Sequence, residues 1–158
     1  MYSWGVLHHT GAMWAAIDRA AGLVNPGGLL LISIYNNVER HFGGSVMWSK
    51  IKCAYTRGPW ILGRAMEVLY VLHFITRHVL TCRNPIRAIR GYDSGGRGMD
   101  FWHDMRDWLG GFPYEYATAG EVFRYVRENF GYELEHLDTH DGHGCNEFVF
   151  RRPGDQES

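Results

Sequence analysis

The sequence predicts an α/β fold in which a partial sheet carries a helical insertion. An apolar run without polar alternation, LLLISIY at residues 29–35, is typical of a strand buried on both faces. A shorter apolar stretch at residues 1–6 precedes this run, and a helical segment separates the two. Near the end of the chain, YELEHLDTH and NEFVFRR flank a glycine-containing turn, which indicates an antiparallel pair of strands.

The composition is that of one folded domain. The 158 residues are 46% hydrophobic and 15% aromatic, which excludes a disordered chain. The formal net charge is −1, so the overall charge gives no reason to expect a nucleic-acid partner. Three cysteines, none in a CxxC pair, are typical of a reduced chain, and we expect a cytoplasmic location.

Residues 1–35 predict a strand, a helix and a second strand. Met1–Val6 is the first strand, and Thr10 is expected to cap the helix that follows. The helix is AMWAAIDRAAGLV, and an Asn-Pro-Gly-Gly turn ends it before the strand at residues 29–35. Two parallel strands joined through a helix form one right-handed crossover unit.

Residues 36–113 contain no clear strand and predict a helical insertion or cap. Helical segments are expected near 45–55, 59–80, 85–89 and 99–109, and GYDSGGRG at 91–98 is expected to be a flexible break. The segment Pro59–Leu80 is long and mostly apolar, but it contains charged side chains, each costing about 2.5–3.5 kcal/mol at a bilayer centre. We therefore expect a capping or interfacial helix here and not a spanning one.

Basic residues concentrate between residues 50 and 90. This stretch holds eight lysines and arginines and one acidic residue, Glu67. Two interpretations stay open: a solvated helical surface, or a surface for an anionic substrate or a lipid head group.

Residues 114–152 predict a closing helix and the antiparallel hairpin. Thr118 and Glu121 have the spacing of a capping box, and Gly131 is expected to end the helix. Its buried side chains are expected to be Val122, Phe123, Val126 and Phe130. Residues 153–158 are expected to form a frayed tail.

Taken together, these motifs resemble the C-terminal half of a class I S-adenosylmethionine-dependent methyltransferase. YSWGVLHHTG and PGGLLLISIYN resemble the fourth and fifth strands of that family with their loops. The resemblance implies a partial Rossmann-like sheet of strands four to seven, in which the last strand is antiparallel and lies beside the fifth. It covers the whole chain and implies S-adenosyl-L-methionine as cofactor, with a small or medium acceptor. Oxygen, nitrogen and carbon all stay open as the methylated atom, with oxygen as the working hypothesis.

The resemblance also implies that the family's first half is missing. That half carries a glycine-rich loop after strand one and an acidic residue after strand two, both of which hold the cofactor. No GxGxG follows a strand in these 158 residues. We therefore expect a truncated sequence with weak or no cofactor affinity by itself, and an exposed apolar sheet edge at Met1–Val6.

The resemblance also implies where the site residues lie, because this family binds its ligands at the carboxyl ends of the parallel strands. The resemblance implies that backbone atoms of Ser3, Trp4, Gly5 and Val6 lie beside the cofactor. His8 or His9 would be the base for a hydroxyl acceptor, because an imidazole changes charge near neutral pH. The alternative is that both histidines only position the loop or the substrate.

Substrate contacts are expected from two further segments. Tyr35 and Asn36 end the fifth strand, where they either reach the substrate or cap the turn. The resemblance implies that the segment before the last helix lines the acceptor pocket, with candidates His103, Asp104 and Arg106. An exposed helix face explains His103 and Arg106 almost as well, because three residues separate them.

A metal site is not expected. THDGHGCNE offers histidines, an aspartate and a cysteine at tight spacing, but no partner motif such as HExxH completes them. A hairpin turn explains this segment better.

Two further functions stay open beside a methyltransferase fragment. One is a non-catalytic subunit that completes its sheet with another polypeptide. The other is association with a membrane surface through Pro59–Leu80 and the flanking arginines. The oligomeric state is not predicted.

Overall fold

A computed structural model describes residues 1–40, 42–92 and 98–154. The chain divides into two compact units. The sheet unit comprises Met1–Ser49 and Pro113–Ser158, and the helical unit comprises Lys50–Phe112. The sequence-based insertion, residues 36–113, overlaps the helical unit but begins earlier in the chain.

The described part of the sheet unit contains a mixed four-stranded sheet. Its strands are β1 (Tyr2–Ser3), β2 (Leu29–Tyr35), β3 (Glu133–Asp138) and β4 (Cys145–Arg151). Their spatial order is β1-β2-β4-β3, with β1 parallel to β2 and both other pairs antiparallel. The predicted strand at residues 29–35 and the position of the closing strand beside it are therefore confirmed, and the fold is mixed α/β.

The first strand is shorter than predicted. β1 ends at Ser3, whereas the sequence indicated a strand through Val6. Gly5 adopts a left-handed conformation with φ of +73°, which turns the chain out of the strand direction. A single 3₁₀ turn, Leu7–His9, follows.

The prediction that Thr10 caps the first helix is wrong. Helix α1 spans Met13–Gly22, and its N-cap residue is Ala12. The Thr10 hydroxyl donates to the Leu7 carbonyl at 2.9 Å and accepts at 3.3 Å from the amide of Ala12, the residue before the first helical turn. Both carboxylate oxygens of Glu115, at 3.0 and 3.1 Å, accept from the Met13 amide, so a residue far along the chain caps α1.

The core of the sheet unit lies on one face of the sheet. Helices α1 and α6 (Ala119–Phe130) contribute the side chains that pack against the alternate residues of β2 and β4. Among the buried residues are Ile17, Ala21, Leu30, Ile34, Val122, Val126, Phe148 and Phe150. Each large side chain of this kind contributes roughly 1.5–3 kcal/mol by leaving water.

Helix α6 follows its predicted signals closely. The capping box between Thr118 and Glu121 is present in both directions, and Gly131 ends the helix with φ of +68°. Val122 and Val126 are fully buried, while Phe123 and Phe130 are partly buried against the same core.

Between β2 and the closing segment, the described residues form four helices. They are α2 (Ser45–Arg57), α3 (Trp60–Leu80), α4 (Pro85–Arg90) and α5 (Phe101–Gly110), close to the predicted segments. The Asn84 side chain caps α4 and the Asp100 carboxylate caps α5. Within the helical unit, Phe101 is buried beneath α3, with its ring 4.7 Å from that of Phe74.

Two predictions fall partly on residues that the structure leaves undescribed. Residues 93–97 of the expected break, and residues 155–158 of the expected frayed tail, lie outside the described residues. In the described ranges, none of the helices has the length and apolar character needed to cross a membrane.

Candidate functional site

The candidate site forms where β1 and β2 end. The chain segment 113–117, called the strap here, crosses the carboxyl ends of both strands. The Glu115 amide donates to the His8 carbonyl at 3.0 Å, and the Ala117 amide donates to the Tyr35 carbonyl at 3.0 Å. The strap therefore holds the loop after β1 and the end of β2 in one place.

The two histidines of the predicted loop lie under this strap. The His8 ring is buried, and its Nδ1 is 3.1 Å from the Ser33 carbonyl oxygen. His9 is half-buried, and its Nδ1 is 2.7 Å from the Pro113 carbonyl oxygen. Because a carbonyl only accepts, both Nδ1 atoms carry a proton. In the neutral rings, the basic lone pair is therefore on Nε2.

Tyr35 is the centre of an aromatic cluster with these histidines. Its ring centroid is 4.1 Å from that of His8, 5.5 Å from that of His9 and 5.0 Å from that of Tyr114. Tyr116 extends the cluster, 5.5 Å from Tyr114. The structure thus brings His8, His9 and Tyr35 together, three of the residues predicted from sequence.

The strap tyrosine Tyr114 is buried, and burial raises the pKa of its phenol to about 12. The Ser45 hydroxyl acts in the opposite direction through a hydrogen bond. At neutral pH, Tyr114 is therefore an uncharged hydroxyl.

A groove of about 570 Å³ opens beside the strap. Its lining residues belong to the sheet unit: Asn37, Val38, Glu39, Arg40, Val46 and Tyr116. The walls combine apolar surface with one acidic and one basic side chain. This size and composition are suitable for a small or medium organic molecule.

The predicted cofactor-contacting residues lie on the β1 side of the site. Ser3 is buried on the core face, while Trp4 is half exposed and donates from Nε1 to the Glu147 carboxylate at 2.9 Å. Val6 is exposed, and its carbonyl accepts from the His9 amide at 3.0 Å. At Gly5, no atom lies within 4 Å of the position that a Cβ would occupy.

For Asn36, the structure shows the turn-holding alternative. Its Nδ2 donates to the His140 carbonyl at 2.6 Å, and its Oδ1 accepts from Asn146 at 3.2 Å. Both partners belong to β4 and the turn before it. The Asn36 side chain therefore fixes the β3–β4 turn at the end of the sheet.

The other predicted substrate residues lie on α5, in the helical unit. His103 is exposed and bonds to the Asp100 carboxylate. Asp104 is buried and accepts from the Tyr92 hydroxyl at 2.6 Å. Arg106 contacts Glu67 at 3.4 Å, so the three side chains have separate partners.

The histidine-rich turn before β4 makes structural contacts. His143 Nε2 donates to the Gly43 carbonyl at 2.6 Å, and the ring lies against Trp48 at 6.0 Å between centroids. Within residues 1–40, 42–92 and 98–154, no three His, Cys, Asp or Glu side chains are grouped as metal ligands.

Sequence reasoning missed the strap residues Tyr114, Glu115 and Tyr116. They stand in PYEY, directly before the capping box of α6, in the segment before the last helix that the resemblance implies as a lining of the acceptor pocket. The density of aromatic and acidic residues in so short a loop is the signal that identifies them.

Comparisons with protein-family models, with curated proteins and with solved structures find no match to this chain. A functional assignment therefore depends on the strand order and on the geometry of the site.

Proposed function

We propose that this chain forms the acceptor-binding half of an S-adenosylmethionine-dependent methyltransferase that acts on a small or medium acceptor at oxygen. The observation that carries the proposal is the strand order β1-β2-β4-β3, with one parallel pair and an antiparallel last strand inserted beside β2. This is the order that the sequence resemblance implies for strands four, five, seven and six of a Rossmann-like class I sheet.

The free edge of β1 supports the proposal. One side of β1 pairs with β2, no described strand pairs with its other side, and the apolar side chains of Tyr2 and Val6 are exposed. An unpaired strand edge with apolar side chains is a template for further strands. In the proposed enzyme, the strands that carry the glycine-rich loop pair with this edge.

The residues at the end of β1 fit the methyl-facing side of the cofactor. Gly5 leaves open space beside a backbone in the left-handed conformation, which permits a close approach of a ligand. S-adenosylmethionine would supply a methyl group on a positively charged sulfur. Trp4 and Tyr35 provide aromatic faces of the kind that attract such a cation, while the glycine loop and the ribose-binding acid must come from the other half.

His9 is the base in this proposal. Its half-exposed ring has Nδ1–H fixed on the strap carbonyl of Pro113, so Nε2 is the atom that accepts a proton from an acceptor hydroxyl. The buried His8 ring packs against His9, with centroids 4.5 Å apart, and thereby positions it. The groove beside Tyr116 is the proposed acceptor pocket.

The test locates the binding site of S-adenosylhomocysteine, the product that the cofactor leaves after methyl transfer, on the completed enzyme. The coding sequence directly upstream of Met1 is read for a strand followed by a glycine-rich loop, and the two halves are expressed together. S-adenosylhomocysteine is then added to ¹⁵N-labelled protein. We expect shifts in the amides of Ser3–Val6 and of His8. Shifts confined to the helical unit, or an upstream frame without such a half, would contradict the proposal.

A substitution at Gly5 sharpens this test. Gly5→Ala adds a methyl group where the cofactor is proposed to approach, and we expect weaker S-adenosylhomocysteine binding. Gly27→Ala is the matched control, because Gly27 also has a positive φ, +74°, a Cβ there also has open space, and the residue lies in the turn before β2, away from the site. Equal effects of the two changes would argue against cofactor contact at Gly5.

A further inference from the structure

Helix α3 has one mostly apolar face that no described part of the helical unit covers. Its 21 residues extend for about 30 Å, and none of them is buried. The exposed side chains repeat at helical spacing over about a third of the circumference. This outer face of α3 consists of Ile61, Leu62, Ala65, Val68, Leu69, Leu72, Thr76, Val79 and Leu80.

The opposite face of α3 already has its partners within the helical unit. Tyr70 and Phe74 contact Phe101, with ring centroids 6.4 and 4.7 Å apart. Glu67 accepts from the Tyr55 hydroxyl at 2.9 Å. The outer face is therefore not the side on which α3 packs against α5, and its exposure is substantial: 64% for Leu69 and 79% for Leu80.

Positive charge borders the outer face. Arg64 and Arg77 lie at its two edges, and both are exposed. The loop directly after α3 and the short helix α4 carry three more exposed arginines, Arg83, Arg87 and Arg90, within ten residues of the end of α3. From residue 50 to residue 90, Glu67 is the only acidic residue in the sequence. It accepts from the Tyr55 hydroxyl and pairs with Arg64 at 2.8 Å, so the other arginines supply the excess positive charge.

The positive charge distinguishes between two candidate partners for the outer face of α3, a second copy of the helix and an anionic bilayer surface. A second copy of α3 would bring together two segments that each carry an excess of positive charge, which is electrostatically unfavourable. An anionic bilayer surface complements both features, because apolar side chains enter the acyl boundary while arginines reach the phosphates. Trp60, 77% exposed at the start of α3, is also a residue type favoured at that boundary.

We propose that the outer face of α3 docks in the plane of a membrane surface that contains anionic phospholipid. The helix lies on the bilayer, with its apolar side chains inserted and the surrounding arginines at head-group level. This inference concerns the helical unit only and does not depend on methyl transfer.

Vesicle flotation of the purified full chain tests this proposal. We expect the protein to float with vesicles of phosphatidylcholine mixed with phosphatidylserine, and to float less as salt increases. With phosphatidylcholine alone, little protein should float. Failure to float with the anionic vesicles, or equal flotation with both kinds, overturns the proposal.

Two sets of variants separate the apolar and the charged contributions. Leu69→Glu should abolish flotation, whereas Leu23→Glu, at a leucine that is 72% exposed in the sheet unit, should leave it unchanged. Arg83→Gln with Arg87→Gln should weaken binding about 30-fold, whereas Arg19→Gln with Arg124→Gln should not. Circular dichroism confirms that each variant is folded.

The same variants detect the competing occupant. If a second copy covers the outer face, sedimentation shows a dimer in the absence of lipid, and Leu69→Glu dissociates it. That result overturns the membrane proposal. A monomer that binds anionic vesicles, and loses this binding in Leu69→Glu, supports it.

Discussion

At the residue scale, the buried lysine of the helical unit is the most unusual side chain. Lys52 is fully buried, and its ammonium donates to the Trp108 carbonyl while lying 4.4 Å from the centroid of the Trp108 ring. Burial lowers the pKa of Lys52 from 10.5 to about 8, and the charge of Asp107 raises it only partly. The folded state therefore holds this proton less tightly than the unfolded state does.

The pKa of Lys52 predicts a rise in stability at alkaline pH. Between about pH 8 and pH 10.5, the unfolded chain binds the proton and the folded chain does not, so the free energy of unfolding increases with pH. Below pH 8 both states are protonated, and the contribution is constant. The expected rise is about 1–3 kcal/mol, measured as urea midpoints across this range.

Lys52→Met isolates this effect, because methionine fills a similar volume without a charge. The variant should lose the rise between pH 8 and pH 10, whereas Lys50→Met, at an exposed lysine of the same helix, should retain it. An unchanged pH profile in Lys52→Met would show that another group is responsible.

Glu115 is the second residue whose role is specific. Its carboxylate accepts from the Met13 amide at the start of α1, where a negative charge also interacts favourably with the helix dipole. Glu115→Ala should lower the free energy of unfolding by about 0.5–2 kcal/mol, as measured in urea. Glu115→Gln should cost less because it keeps an acceptor, and Glu128→Gln at an exposed position should cost little. Equal stability of wild type and Glu115→Ala would contradict this cap.

Single residues of the candidate site were predictable only in part. His8, His9 and Tyr35 follow from the sequence, because each stands next to a strand end that the apolar pattern predicts. The strap is different. Backbone hydrogen bonds of Glu115 and Ala117 hold it at the site, and their partners His8 and Tyr35 are 107 and 82 positions away. Local patterns carry no information about such pairing.

At the element scale, the capping box of α6 gives a direct stability prediction. Thr118 Oγ1 accepts from the Glu121 amide at 3.2 Å, and the Glu121 carboxylate accepts from the Thr118 amide at 2.7 Å. Thr118→Ala should lower the free energy of unfolding by about 1 kcal/mol in urea titrations. Thr139→Ala, at an exposed threonine of the hairpin turn, is the control, and an equal loss there would contradict the cap.

The Thr118–Glu121 capping box also predicts part of the stability that the protein loses in acid. The backbone amide of Thr118 holds the pKa of Glu121 below its ordinary value. A depressed folded pKa stabilises the protein above the unfolded pKa, and this contribution is lost as pH falls through the folded value. In thermal melts, Glu121→Gln should therefore lose stability at neutral pH and differ less from wild type in acid. An equal difference at both pH values would contradict this assignment.

Elements with strong local signals were predicted well. Strand β2 lies at residues 29–35 as predicted, and α6 begins after Thr118 and ends before Gly131 as predicted. Both signals are local, because a continuous apolar run and helix caps depend on neighbouring residues. The strand at Met1–Val6 was predicted too long, since a left-handed Gly5 was not anticipated. The local sequence favours Thr10 as the cap of α1. The actual cap, Glu115, is about 100 residues away in sequence and reaches the helix start only through tertiary structure.

At the scale of the whole molecule, the strand order is the most informative feature. Antiparallel pairing of the last two strands follows from their short connection, whereas the insertion of β4 between β2 and β3 joins segments about 115 residues apart. The position of the last strand beside β2 is predicted only by the family resemblance, because local sequence patterns do not specify which distant strands pair. The cofactor and the reaction stay proposals that this topology supports.

The measurement that tests the central claim most directly is calorimetric titration of S-adenosylhomocysteine into the chain with and without its proposed other half. We expect no measurable heat from the chain alone, and micromolar binding once the glycine-loop half pairs with β1. Absence of binding in the completed protein would contradict the methyltransferase proposal. Micromolar binding by the chain alone would show that the residues around β1 and β2 form a cofactor site without that half.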